Sequence, residues 1–162
     1  MRKTIFLIIA ASYLFANQAS ADNGFYSANI QSLAENSPAR DSDSLFIGEI
    51  YNKEYDVFIR LNFYENDILV EGQKLYGEVS GYIKNSTDSR CWLITSARIS
   101  KDNNSAKLEI INDYGSEDLI ATLSYDSACK SYTLRQKSGS TIKFAKKGKW
   151  QKLPSSLVFV RR

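Results

Sequence analysis

The strongest constraint on the fold is an alternation of period two. Val57, Ile59, Leu61 and Phe63 take every second position, and Phe58, Arg60, Asn62 and Tyr64 take those between. Side chains of an extended strand point to opposite faces in turn, so this pattern buries one face and leaves the other to solvent. The same period begins at Leu45 and recurs at 68–70, 75–83, 91–99, 107–111, 119–125, 132–136, 141–144 and 157–160. Turn-forming runs separate these segments, among them Glu65-Asn66-Asp67, Ser100-Lys101-Asp102-Asn103-Asn104-Ser105, Asn112-Asp113-Tyr114-Gly115-Ser116 and Lys137-Ser138-Gly139-Ser140. About eight to ten short strands, with turns roughly every 8–12 residues and no long helical pattern, predict an all-β antiparallel barrel or sandwich. Gly77 and Gly81 favour the barrel, with the sandwich as the alternative. They share a face with Leu75, Val79 and Ile83, opposite Tyr76, Glu78, Ser80 and Tyr82. Glycines two apart mark a bend or a close backbone approach, which a sheet needs to close into a small barrel.

Cys91-Trp92-Leu93-Ile94-Thr95-Ser96-Ala97-Arg98-Ile99 is the most apolar run beyond the first twenty residues and reads as a buried strand. It begins with one of two cysteines, and a disulfide to Cys129 is the expectation. That loop closure would stabilise by about 4 kcal/mol in the chain-entropy model. Export suits such a bond. Arg2 and Lys3, an apolar stretch over 4–15 and Ala19-Ser20-Ala21 have the make-up of a bacterial secretory signal over 1–21. The apolar stretch is shorter than the roughly 20 residues a membrane span needs. The expected location is therefore periplasmic or secreted, with no membrane span after cleavage. Residues 22–44 form a polar leader, where Tyr26, Ile30 and Leu33 fall at helical spacing and Asn23 would cap a short helix. Residues 45–162 form one β domain. An outer-membrane barrel would need strands of about 10 residues with an outward apolar band; most strands here are shorter, and Arg60 and Asn62 interrupt the best one.

The charge is split along the chain. The sequence holds 21 Lys+Arg and 18 Asp+Glu, and no acidic residue follows Asp126. Lys143, Lys146, Lys147, Lys149 and Lys152 crowd around Trp150. Two readings stand side by side. The basic strands may pair across the sheet with acidic neighbours, or the cluster collects an anionic envelope component. Nucleic acid is not an expected partner of an exported chain without a binding motif.

No histidine is present. Ser-His-Asp and Cys-His catalysis are thereby excluded, as are the common zinc sites if the two cysteines are joined. Ser127–Lys130 and Ser140–Lys143 match SxxK, but on turns and strands rather than at the helix start where that motif works. The carboxylates fall mostly at turns, with no pair marked for glycoside hydrolysis. No phosphate loop or EF-hand is present. The expectation is a protein that is not an enzyme and takes no metal or cofactor. What remains is a surface: Phe58, Arg60, Tyr64, Tyr76 and Tyr82 are predicted to share an outer face, and tyrosine with arginine is the composition of a binding patch.

Ser80-Gly81-Tyr82 resembles the Ser-Gly…Tyr element of periplasmic lysozyme inhibitors. Gly148-Lys149-Trp150 is similar to the Gly-x-Trp of lipocalins, although theirs opens the first strand and this one lies near the C-terminus. Three functions are open at this stage. The first is a non-catalytic binder of another envelope protein, of the inhibitor or immunity type. The second is a calycin-like carrier of a small apolar or anionic amphiphilic ligand, and the third is an envelope-structural role.

Overall fold

Alternation becomes strand wherever the sequence shows it. The computed structural model describes residues 44–72 and 75–162, which belong to the second of two units, Ala39–Arg162. The expected signal, leader and short helix over 1–43 lie outside the described residues. The strands are β1 (Ile47–Asn52), β2 (Val57–Asn62), β3 (Ile68–Leu69), β4 (Glu78–Val79), β5 (Gly81–Asn85) and β6 (Cys91–Ile99). They continue with β7 (Ser105–Asn112), β8 (Asp118–Asp126), β9 (Ser131–Gly139), β10 (Lys143–Lys146), β11 (Lys149–Lys152) and β12 (Ser156–Arg161). Eight of them close into an antiparallel barrel in the order β1-β12-β9-β8-β7-β6-β5-β2, while β3–β4 and β10–β11 are separate two-stranded ribbons. The all-β barrel expected from the sequence is thus the observed architecture.

The register explains the core. Ile50, Ile59, Ile83 and Trp92 lie side by side across β1, β2, β5 and β6. Leu123, Leu134 and Leu157 do the same across β8, β9 and β12. These inward residues join Phe46, Phe63, Ile94, Leu108, Tyr132 and Phe159 in one buried cluster. Eight strands enclose a space that side chains of this size can fill. Outward positions carry Arg60, Arg98, Lys107 and Arg135, all exposed. Apolar inside and charged outside is the reverse of a porin-like barrel.

Closure needs curvature. A Cβ at Gly81 would meet the Arg60 carbonyl oxygen at 2.5 Å and Leu61 Cα at 3.1 Å, so β5 reaches β2 only because that position has no side chain. Register shifts leave Thr95 in β6 and Lys137 in β9 without a partner, two bulges that bend their strands. Four strands end in a buried asparagine that closes the following turn. Asn52 accepts from Tyr55 N at 2.8 Å, Asn62 from Glu65 N at 3.2 Å, Asn85 from Thr87 N at 2.9 Å and Asn112 from Ser116 N at 2.9 Å.

Both ends of the barrel are plugged. At one, the β10–β11 ribbon and its flanks add Ile142, Phe144 and Leu153 to the core. At the other, the Tyr132 hydroxyl donates to Leu45 O at 2.7 Å, and Arg161 donates to Ser44 O at 3.0 Å, Tyr132 Oη at 2.8 Å and the Ile47 carbonyl.

The predicted disulfide is corrected: Cys91 and Cys129 are both free. Cys91 opens β6 at the ribbon-capped end. The chain then runs through three antiparallel strands before Cys129, and an odd number of strands delivers it to the opposite end. The nine residues of β8 span roughly 25 Å, whereas a disulfide needs Cα atoms within about 7 Å. The two thiols also differ in exposure. Burial pushes the Cys91 thiol up to about 11, with Asp113 adding to the effect, while Cys129 is exposed. A thiol reagent at neutral pH should label one cysteine in the native protein and two after unfolding. Rapid labelling of neither, or of both, would contradict this arrangement.

Candidate functional site

The outer face of β12, β1, β2 and β5 carries three half-exposed aromatic side chains close together, Tyr51, Phe58 and Tyr82. One row across it is Val160, Tyr51, Phe58 and Lys84, each paired in register with the next. The adjacent row is Glu49, Arg60 and Tyr82. Phe58 and Tyr82 meet edge to face, with ring centres 6.0 Å apart. Arg162 extends the second row: its backbone N–H donates to Glu49 O at 3.1 Å, its guanidinium pairs with the Glu49 carboxylate at 3.2 Å, and it lies 5.1 Å from the Tyr51 ring. The Tyr51 hydroxyl donates to Asp56 at 2.8 Å, a bond that raises its pKa above the ordinary phenol value. Arg60 is exposed and meets no carboxylate among the described residues.

The Ile68-Leu69-Val70 segment crosses this face and divides it into two grooves. One, about 420 Å³, runs between Ile47, Arg60, Asp67 and Leu69. The other, about 300 Å³, lies between Phe58, Tyr82, Lys84, Val70 and Glu71. Leu69 is 71% exposed on the ridge between them, and Val158 and Val160 are each 53% exposed on the β12 side. Isolated exposed apolar residues are ordinary, but here they border one aromatic patch.

Of the five residues predicted to share the face, Phe58, Arg60 and Tyr82 are together. Tyr64 and Tyr76 are elsewhere. β2 stops at Asn62, and the turn that follows carries Tyr64 to the Leu45–Phe46 end, where it accepts a long hydrogen bond from Phe46 N at 3.5 Å. Tyr76 is separated from Tyr82 by Gly77, whose φ of 64° turns the chain, and by Ser80, which breaks the strand between β4 and β5. Its hydroxyl packs against Gly115 in the β7–β8 turn. Val160 and Arg162 join the patch only through the β1–β12 closure, which spacing along the chain does not show, whereas Tyr51 comes in through the local β1–β2 pairing with Phe58. Leu157-Val158-Phe159-Val160 is apolar throughout, so nothing in its sequence marks Val158 and Val160 as the outward pair.

The second predicted site divides as well. Lys147 and Gly148 both have positive φ, 51° and 73°, and make the two-residue turn joining β10 to β11. The ribbon sets Lys143 opposite Lys152 and Lys146 opposite Lys149. Lys143 is neutralised by Glu117 at 2.7 Å, and Trp150 stacks under the Arg90 guanidinium, 4.1 Å from its ring centre. Lys146, Lys147, Lys149 and Lys152 are exposed and meet no carboxylate among the described residues. Among the described residues no group of acidic or cysteine side chains is arranged to hold a metal ion.

No family model, curated protein or solved structure matches this chain. The surface alone therefore carries the functional argument.

Proposed function

We propose that the protein is a non-catalytic binder that recognises another protein of the cell envelope through the β12–β1–β2–β5 face. The observation that carries this reading is the Tyr51, Phe58, Tyr82 patch, bordered by Val160 and by the cations Arg60, Arg162 and Lys84. Rigid aromatics beside arginine are the side chains that dominate binding energy where proteins meet. A β-barrel wall holds them in place without ordering cost on association. Arg60, Arg162 and Lys84 sit among Glu49, Asp56, Asp67 and Glu71, and charges of both signs around an apolar centre would fix the register of a partner rather than select one sign of charge. The grooves beside Ile68–Val70 are of a size to take single side chains of that partner. A carried ligand fits less well. The inward positions are occupied by Trp92, Ile94, Leu108 and Phe159 of the chain itself, where a carrier would keep space.

A photo-activatable amino acid placed at position 58 or 82 should crosslink a discrete protein in intact cells. Placed at Thr122, on the far wall, it should not. Arg60→Glu should abolish the adduct and leave the melting temperature nearly unchanged, since Arg60 is exposed. Equal adducts from all three positions, or none from any, would remove the reading.

A further inference from the structure

We propose that the groove between the end of β9 and the β10–β11 ribbon binds a phosphate monoester. The groove measures about 350 Å³ and is lined by Lys137, Ser138, Ser140, Thr141, Lys152 and Ser155, with buried Leu153 at its floor. It shares no residue with the aromatic face, so it stands or falls separately from that reading.

The frame of the groove is stiff. Gln136 clamps both walls: its backbone N–H donates to Ser155 O at 2.8 Å, its Nε2 to Pro154 O at 2.7 Å, and its Oε1 accepts from Ile142 N at 2.8 Å. Leu153 N donates to Ile142 O at 2.8 Å and Ser140 N to Asp118 O at 2.7 Å. The backbone is thus held while the hydroxyls of Ser138, Ser140, Thr141 and Ser155 have no protein partner among the described residues. Lys137 is the bulged residue of β9, and a bulge re-aims its side chain relative to the regular pleat.

The charges point to an anion of high density. Lys137 and Lys152 line the groove and no carboxylate does. Lys143, the cross-strand neighbour of Lys152, is neutralised by Glu117, which leaves Lys137 and Lys152 as the cations of the groove. Ammonium groups act as compact point charges that bind phosphate from several directions, and a phosphate monoester brings up to two negative charges to them. Two ammoniums and several hydroxyl donors can surround the oxygens of a phosphate. An apolar ligand would gain nothing from them.

The test is a backbone-amide NMR titration of the purified protein with inorganic phosphate at constant low ionic strength. Shifts should saturate and be largest at residues 137–141, 152, 153 and 155. Replacing Lys137 and Lys152 together with Ala should weaken binding at least tenfold, roughly the loss of two charge-assisted contacts. Replacing Lys146 and Lys147 together should change it by no more than about twofold, as remote screened charges do. Shifts that never saturate, that spread evenly over all lysines, or that respond equally to both double variants would overturn the site. Vesicles of phosphatidylcholine with phosphatidic acid separate the sources. If they bind the parent protein but not the Lys137/Lys152 variant, the monoester is a lipid headgroup. If phosphate saturates the groove and the vesicles do not bind, it belongs to a soluble phosphoester, and both results uphold the site.

Discussion

Trp92→Ala is expected to destabilise the domain by about 3–5 kcal/mol, the range for truncating a large aromatic in a packed core. Trp92 is 3% exposed and lies inward between Ile83 of β5 and Asn112 of β7. Its indole N–H donates to Lys143 O at 3.3 Å, so the same side chain fills the barrel and fastens the first strand of the capping ribbon. Removing it opens a cavity and releases a carbonyl at once. Trp92→Phe separates the two effects. It keeps most of the apolar contact and loses only the donor, for about 1 kcal/mol. Urea unfolding monitored by circular dichroism measures both, and the alanine variant should melt roughly 10–20 °C lower. Amide exchange at Leu153, whose N–H is bonded to Ile142 O at 2.8 Å, should accelerate more in the alanine variant than exchange in the middle of β8. An alanine variant within 1 kcal/mol of the parent would mean that the ribbon does not depend on this side chain.

What could be read in advance follows from where local pattern suffices. Val57, Ile59 and Leu61 announce their face because one buried side is enough to set a strand's register, and all three are buried. Gly81 announces the curvature because only a missing side chain allows the approach to Arg60 and Leu61. Parity decides the failures. Period two places a residue on a face only while the strand lasts, so Tyr64, two residues past the end of β2, and Tyr76, ahead of the Ser80 break, inherit a face that the chain has already left. The cysteines fail for the same kind of reason at larger scale. Spacing along the chain does not show how many times it reverses between Cys91 and Cys129. Closure is the third blind spot. β1 and β12 are neighbours because the sheet curls, so the Val160–Tyr51 contact and the Arg162–Glu49 pair arise from tertiary structure alone, while Tyr51 beside Phe58 is a local hairpin pairing. The return strand β11 was hidden by its composition: Lys149-Trp150-Gln151-Lys152 has no apolar alternation, and its turn uses a lysine, Lys147, in a left-handed conformation more typical of glycine or asparagine.

Asp88→Ala should cost about 2–3 kcal/mol at neutral pH, as expected when a buried carboxylate with several charge-assisted bonds is lost. Its side chain is 4% exposed. One oxygen accepts from Arg90 Nε at 2.9 Å and Arg90 N at 3.2 Å; the other accepts from Arg90 Nη2 at 3.0 Å and Ala145 N at 2.6 Å. Arg90 then stacks on Trp150, so the β10–β11 ribbon is gripped twice, through its backbone at Ala145 and through the indole. Burial alone pushes the Asp88 carboxyl up, but the bonds from Arg90 and Ala145 together outweigh it and hold the group below its ordinary value. The sign of the pH dependence follows. A carboxyl whose folded pKa is depressed contributes in full above the unfolded value of about 3.9, and the contribution fades as acid protonates the folded state. The stability difference between the parent and Asp88→Asn should therefore be constant from neutrality down to about pH 4 and shrink below it. Asp102 is also held low, first by the Ser100 hydroxyl, but it is exposed and present in both proteins, so subtraction removes it. A difference that stays level to pH 2, or grows with acid, would show that Asp88 does not hold the ribbon as an ionised group.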